Sequence, residues 1–177
     1  MAVKYLQAVN QKLAFARAVL KMLEAQSEPV NASERLRCQA LEGAVLFHAM
    51  CGYRHYLREL AENYGVRDPE PIATENDLQA ALSAIGKMPN EASELSLMRS
   101  EPNSWVSRMR IAYDDCWRLP AEVSATEPVQ GEDIAPGLIQ VAHIEEPAPA
   151  VNAEQLKRWL EAFQAMVERH RETSAEY

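Results

Sequence analysis

The sequence predicts an all-α protein, an up-and-down bundle of five to six helices around one long central helix at about residues 33–64. Three observations carry this expectation. From Ala40 to Tyr53, fourteen consecutive residues hold one formal charge, Glu42, and one titratable ring, His48. Leu36, Ala40, Gly43, Phe47, Met50, Arg54, Leu57, Ala61 and Tyr64 follow alternating steps of four and three, a helical period kept for about eight turns. A second row (Leu46, Ala49, Tyr53, Tyr56, Leu60) and a third (Leu41, Ala44, His48, Cys51) are also largely apolar. A helix that is apolar around most of its circumference has to be covered on several sides.

Size and charge narrow the function classes. A chain of 177 residues suits one domain with a proper core and is short for two, so residues 1–177 are read as a single unit. With 47% apolar and 25% charged residues, wholesale disorder is excluded. The net charge is −8, and residues 119–151 carry Glu122, Glu127, Glu132, Asp133, Glu145 and Glu146 with no Lys or Arg. No basic stripe is visible, so nucleic acid is not an expected partner. Cys38, Cys51 and Cys116 have no ligand-like spacing, and an odd count points to a reducing compartment. Lys4, Gln11, Lys12 and Arg17 interrupt any leader-like apolar run. The longest apolar stretch, 40–53, is shorter than the roughly 20 residues a bilayer span needs. The expectation is a soluble, cytoplasmic protein with no membrane segment.

The elements follow in order. Leu6, Val9, Leu13, Ala16, Leu20 and Leu23 repeat at helical spacing and predict a first helix from about Ala2 to Ala25, stopped before Pro29. Asn31 with Glu34 three residues on matches a capping box for the central helix, and Gly65 can take the left-handed conformation that closes it. Thr74, followed by Glu75, Asn76 and Asp77, starts a third helix at about 75–86, with acids where the helix dipole favours them. Met88-Pro89-Asn90 turns the chain into a short segment at 91–99. Trp105, Met109, Ala112 and Cys116 mark a helix at 103–118, ended by Pro120. Residues 119–151 hold five of the ten prolines and form a long acidic loop before the last helix. Within it, the apolar piece Leu138 to Ile144 is expected to lie against the bundle. The last helix has Asn152 as cap, Gln155 three residues on, and Val151 placed to pack on Leu156.

Candidate chemistry is concentrated on the central helix. His48, Cys51, His55 and Glu59, at steps of three, four and four, share one face, and all are competent ligands for zinc or another divalent ion. A second helix would have to add donors, His143 and His170 being the obvious ones; the competing reading makes His48 and Cys51 core residues. Glu42 is an acid in an otherwise apolar run, a candidate catalytic acid or base. The favoured reading gives it a structural ion pair, with an arginine of another helix or with Arg35. Gly43 and Gly52 each cost a helix about 1 kcal/mol relative to Ala. They either admit a crossing helix, the favoured reading, or leave a cleft for a ligand. Phosphate-loop, Cys-x-x-Cys, His-Glu-x-x-His and Gly-x-Ser-x-Gly motifs are absent from the sequence.

The order of a long first helix, a longer apolar second helix and further short ones is similar to the bundles of the HEPN-like superfamily. The run Leu41-Glu42-Gly43-Ala44 leading into His48, then Tyr53 through Glu59, resembles small uncharacterised helical proteins of gammaproteobacteria, pseudomonads above all. HEPN-type ribonucleases carry an Arg followed after four to six residues by His. No Arg–His pair here has that separation, so the resemblance implies a bundle and no nuclease site.

The leading expectation is a non-enzymatic bundle that binds a protein partner, or itself as a homodimer, through helix faces, with no cofactor. The alternatives are a metal-dependent or acid/base enzyme using His48, Cys51, His55 or Glu42, and a small-molecule sensor with its pocket beside Gly43 and Gly52.

Overall fold

The computed structural model describes residues 3–118 and 151–175. Among them are six helices and no strand: α1 (Val3–Glu24), α2 (Ala32–Asn63), α3 (Glu75–Ala84), α4 (Asn90–Ser100), α5 (Trp105–Asp115) and α6 (Ala153–Ala175). The all-α bundle read from the sequence is the observed fold. The expected acidic loop at 119–151 lies, apart from Val151, outside the described residues, and so do His143 and the apolar piece 138–144.

Helix boundaries follow local chemistry. Asn31 caps α2 by accepting from the Glu34 backbone N–H at 2.9 Å. The return half of the predicted box is displaced by one residue, because the Glu34 carboxylate takes the Val30 N–H at 2.9 Å. Thr74 and Asp77 form a complete capping box at α3, and the Asn152 side chain accepts from Gln155 N–H at α6. At the end of α2, Gly65 has φ +91° and lets Val66 N–H reach back to the Ala61 carbonyl at 3.0 Å. That backbone conformation is costly for a residue with a Cβ.

α1 and α2 form an antiparallel hairpin, with Tyr5 beside His55 and Phe15 beside His48 at ring-centroid distances of 6.3 and 5.4 Å. α6 packs along both, α3 and α5 also pack on α2, and α4 packs on α3 and α5. The second predicted row is the buried one: Leu46, Ala49, Tyr53, Tyr56 and Leu60 all lie in the core. Each large side chain removed from water there contributes about 1.5–3 kcal/mol. Tyr53, Tyr56 and Trp105 gather around Phe163 of α6, with centroids 5.7 to 6.2 Å from its ring.

The first row behaves differently. Met50, Leu57 and Ala61 are buried, but Leu36, Ala40, Phe47 and Arg54 are exposed. Full burial on α2 therefore begins at Val45 rather than at Ala40, and Phe47 and Arg54 stay exposed beyond it. Over the first three turns of α2 no residue is fully buried, although Cys38 and Leu41 are partly buried against the core.

The glycines of α2 split between the two readings made for them. A Cβ on Gly52 would come within 3.3 Å of Lys12 Cβ and of Phe163 Cε1, so this glycine admits the close crossing of α1 and α6. A Cβ on Gly43 would meet nothing within 4 Å. Close crossing, the favoured explanation for both, fails at Gly43.

Two outcomes follow for stability. Gly43→Ala raises the unfolding free energy by about 1 kcal/mol, the helix-propensity difference, while Gly52→Ala gives no net gain because its new methyl crowds a ring and a neighbouring helix. Denaturant titration of both variants checks this, and equal gains at the two sites would contradict the packing described.

Candidate functional site

The polar side chains on the buried line of α2 are each paired with another helix. The Glu59 carboxylate is almost wholly buried and accepts from Arg171 Nε and Nη2 at 2.7 and 2.8 Å. Arg171 Nη1 donates to Asn10 Oδ1 at 3.0 Å, tying α6 to α1 as well. The Tyr53 hydroxyl donates to Glu75 Oε1 at 2.9 Å, and Arg99 stands 3.7 Å from the other oxygen of that carboxylate. The Tyr64 hydroxyl donates to Glu91 Oε2 at 3.0 Å. Burial, then this bond, pushes the Tyr64 hydroxyl up to about 12.

The His170 ring joins Tyr56 to Glu94. Its Nε2 lies 3.0 Å from Glu94 Oε2, and its Nδ1 is hydrogen-bonded to the Tyr56 hydroxyl. Burial alone would raise the Glu94 carboxyl, but the His170 and Arg169 contacts overcome it and hold the group below its ordinary range. An ionised carboxylate only accepts, so the Nε2 carries the proton. In the neutral ring Nδ1 then accepts from Tyr56. Burial raises the Tyr56 and Tyr53 hydroxyls well above their ordinary value. These chains hold the bundle together and are sealed from solvent at the tyrosines.

The four residues predicted to share a metal face are distributed among different neighbours. Glu59 is held by Arg171. His48 lies edge-on between Phe15 and Phe47, both at 5.4 Å. His55 lies beside Tyr5, and Cys51 is a half-buried free thiol. Among the described residues, no three His, Cys, Asp or Glu side chains come together as a metal-holding group. The Nδ1 atoms of His48 and His55 are buried without a hydrogen-bond partner. Burial first, then the Lys12 charge, lowers the His48 pKa; burial, then Arg58, lowers that of His55.

Two surfaces remain open for function. One is the outer face of the α1–α2 hairpin, where Phe15 is 43% and Phe47 48% exposed on either side of His48. Met22 and Leu36 continue the two helical lines, 57% and 67% exposed. Lys12 leans over Phe15, its Nζ 5.7 Å from the ring centroid.

The other is a cleft of about 680 Å³ between the first half of α2, α5 and the start of α6. α2 supplies Gln39, Glu42, Gly43 and Leu46; α5 supplies Arg108, Ile111, Ala112 and Asp115; α6 supplies Gln155 and Trp159. Burial raises the Glu42 carboxyl, and no hydrogen bond or charge offsets it. The arginine pairing favoured for Glu42 from sequence is not formed among the described residues. Asp115, by contrast, has the Arg118 guanidinium at 3.1 Å. Arg108 donates to Asn103 Oδ1 at 3.1 Å. Sequence reading singled out Glu42 and Gly43 but missed Arg108 and Trp159, because nothing in their own segments distinguishes them from an exposed cation and a core aromatic.

A model of a family of unknown function, DUF6586, matches residues 1–177, and the chain belongs to that family. No curated protein and no solved structure matches it.

Two outcomes follow from the buried groups. Arg171→Met lowers stability by about 3 kcal/mol, since it strands the Glu59 carboxylate away from water, whereas Glu59→Met with Arg171→Met recovers most of the loss. A double-mutant cycle by denaturant unfolding reads the coupling, and additive losses would refute it. Acid lability has its own signature. The folded His48 and His55 bind protons less readily than in the unfolded chain, so their contribution is full above about pH 6.5 and declines as pH falls through their folded pKa values. The Glu94 contribution is lost only at lower pH, below the ordinary carboxylate range. Thermal midpoints between pH 7.5 and 5 should fall for the parent and fall less for His48→Gln with His55→Gln.

Proposed function

We propose that this DUF6586 member acts by binding another protein through the outer face of the α1–α2 hairpin, without catalysing a reaction. One observation carries the reading: two phenylalanines from different helices stand about half exposed around His48. Scattered single apolar residues on a surface are ordinary, but rings from neighbouring helices around one centre, extended by Met22 and Leu36, form the kind of patch that a partner covers.

Charge supports a particular partner chemistry. α1 carries Lys4, Lys12, Arg17 and Lys21 against Glu24 alone, although the whole chain has a net charge of −8. An amphipathic helix with an apolar stripe and acidic flanks complements such a face, through burial for affinity and charge for steering. The acidic, proline-rich composition of 119–151 fits a chain that engages partners. A second copy of the chain is the simplest partner of suitable net charge. The likeness to HEPN-like bundles, and a gammaproteobacterial and cytoplasmic setting, belong to this same proposed reading.

A metal-dependent or acid/base enzyme is the second reading. The unpartnered, burial-raised carboxyl of Glu42 in an open cleft favours its acid/base form. Its metal form has less support, because Glu59 is bound to Arg171 and His48 lies between aromatic rings.

Site-specific photo-crosslinking in the native cell tests the interaction. A photoreactive residue at position 47 should give one discrete adduct that is lost when Phe15→Ser is added, and the same residue at exposed position 79 should give none. Light scattering then tells whether the adduct is a second copy or a different protein. A strict monomer whose position 47 labels no more than position 79 would overturn the reading.

A further inference from the structure

The cleft between α2, α5 and α6 carries a second inference, independent of the hairpin face. Its volume of about 680 Å³ lies within the range of small-molecule sites. A smaller hollow of about 370 Å³ adjoins it and shares Asn103, Arg108, Gln155 and Trp159 with it. The floor is apolar, formed by Leu46, Ile111 and Trp159. The charges on this floor are unusual in their arrangement. Asp115 is neutralised by Arg118 at 3.1 Å, and Arg158 in the adjoining hollow is neutralised by Glu154. Glu42 has no charged or hydrogen-bonding partner among the described residues, and the partner of Arg108 is the neutral Asn103. One cleft thus holds an acid and a guanidinium that neither pair with each other nor find a counter-charge among the described residues. Glu42 is half-buried and Arg108 exposed, and such an unmatched pair in one cleft gains from a ligand that brings both counter-charges.

Gly43 adds the space. It sits on the cleft wall beside Glu42, where a Cβ would meet nothing within 4 Å, so the helix backbone itself is open to a ligand. Glycine inside a long helix is disfavoured, and here no crossing helix explains it.

We infer that the cleft binds a small zwitterion with an apolar body, an apolar amino acid or dipeptide being the simplest carrier, its ammonium at Glu42 and its carboxylate at Arg108. The guanidinium fork suits a carboxylate in two-pronged contact. Trp159 and Leu46 take the apolar side chain. A ligand with only one of the two charges leaves the other protein group unmatched, and so binds more weakly.

Isothermal titration of the full chain tests this with four probes: leucyl-leucine, N-acetyl-leucyl-leucine, leucyl-leucinamide and the doubly capped form. The free dipeptide should bind at least tenfold tighter than either singly capped form. Glu42→Gln should abolish its advantage over the N-acetylated probe, and Arg108→Gln its advantage over the amide. Gly43→Leu should weaken all four while leaving the thermal midpoint no lower, which separates blocking from unfolding. No binding by any probe, or equal binding by capped and uncapped forms, overturns the inference. Either result leaves the hairpin-face reading standing, because crosslinking at position 47 does not involve this cleft.

Discussion

The arrangement of this bundle depends on three polar side chains placed along the buried line of α2. Tyr53, Tyr56 and Glu59 are all in the core, and none can stay there without a partner. Their partners lie on two other helices, Glu75 at the start of α3 and His170 and Arg171 on α6, and His170 passes the link on to Glu94 of α4. Apolar packing would tolerate some sliding of one helix along another. A bidentate contact to Glu59 and hydrogen bonds from two tyrosines do not, because a shift of one residue would leave charges and hydroxyls unsatisfied away from water. The polar groups thus determine register, while the surrounding leucines and the Phe163 cluster supply most of the burial.

That division of labour separates two halves of α2. From Val45 onward the helix has one buried side, and its buried Tyr53, Tyr56 and Glu59 are committed to Glu75 of α3 and to His170 and Arg171 of α6. Before Val45 no residue of the helix is fully buried. The exposed half contributes Leu36 to the hairpin face and Glu42 and Gly43 to the cleft. Phe47 and His48 stand at the boundary. Surfaces available for binding therefore arise where the apolar pattern of α2 outlasts the helices available to cover it.

Legibility in the sequence followed the range of the interactions involved. Asn31 with Glu34, Thr74 with its acids, and Asn152 with Gln155 act within one turn, so the short chain segment contains everything needed to read them. The metal pattern at His48, Cys51, His55 and Glu59 was legible as a helix face, but spacing along one helix does not reveal that Arg171, more than a hundred residues on, claims the last of the four. The two glycines make the same point. Identical in local pattern, Gly52 is pressed by Lys12 and Phe163 while Gly43 faces open space.

The amino-acid order alone determined the class of fold, the approximate limits of five of the six helices, and which rows of α2 were apolar enough to need covering; the segment at 91–99, which forms α4, carried no such signal. Periodicity and capping are properties of neighbouring residues, and they survive without any knowledge of distant ones. Only the tertiary structure decided which row was covered, which acid found an arginine, and which two charges were left apart across a cleft. Those outcomes depend on the meeting of segments far apart in the chain, where burial and counter-charge are settled by geometry that no single stretch contains.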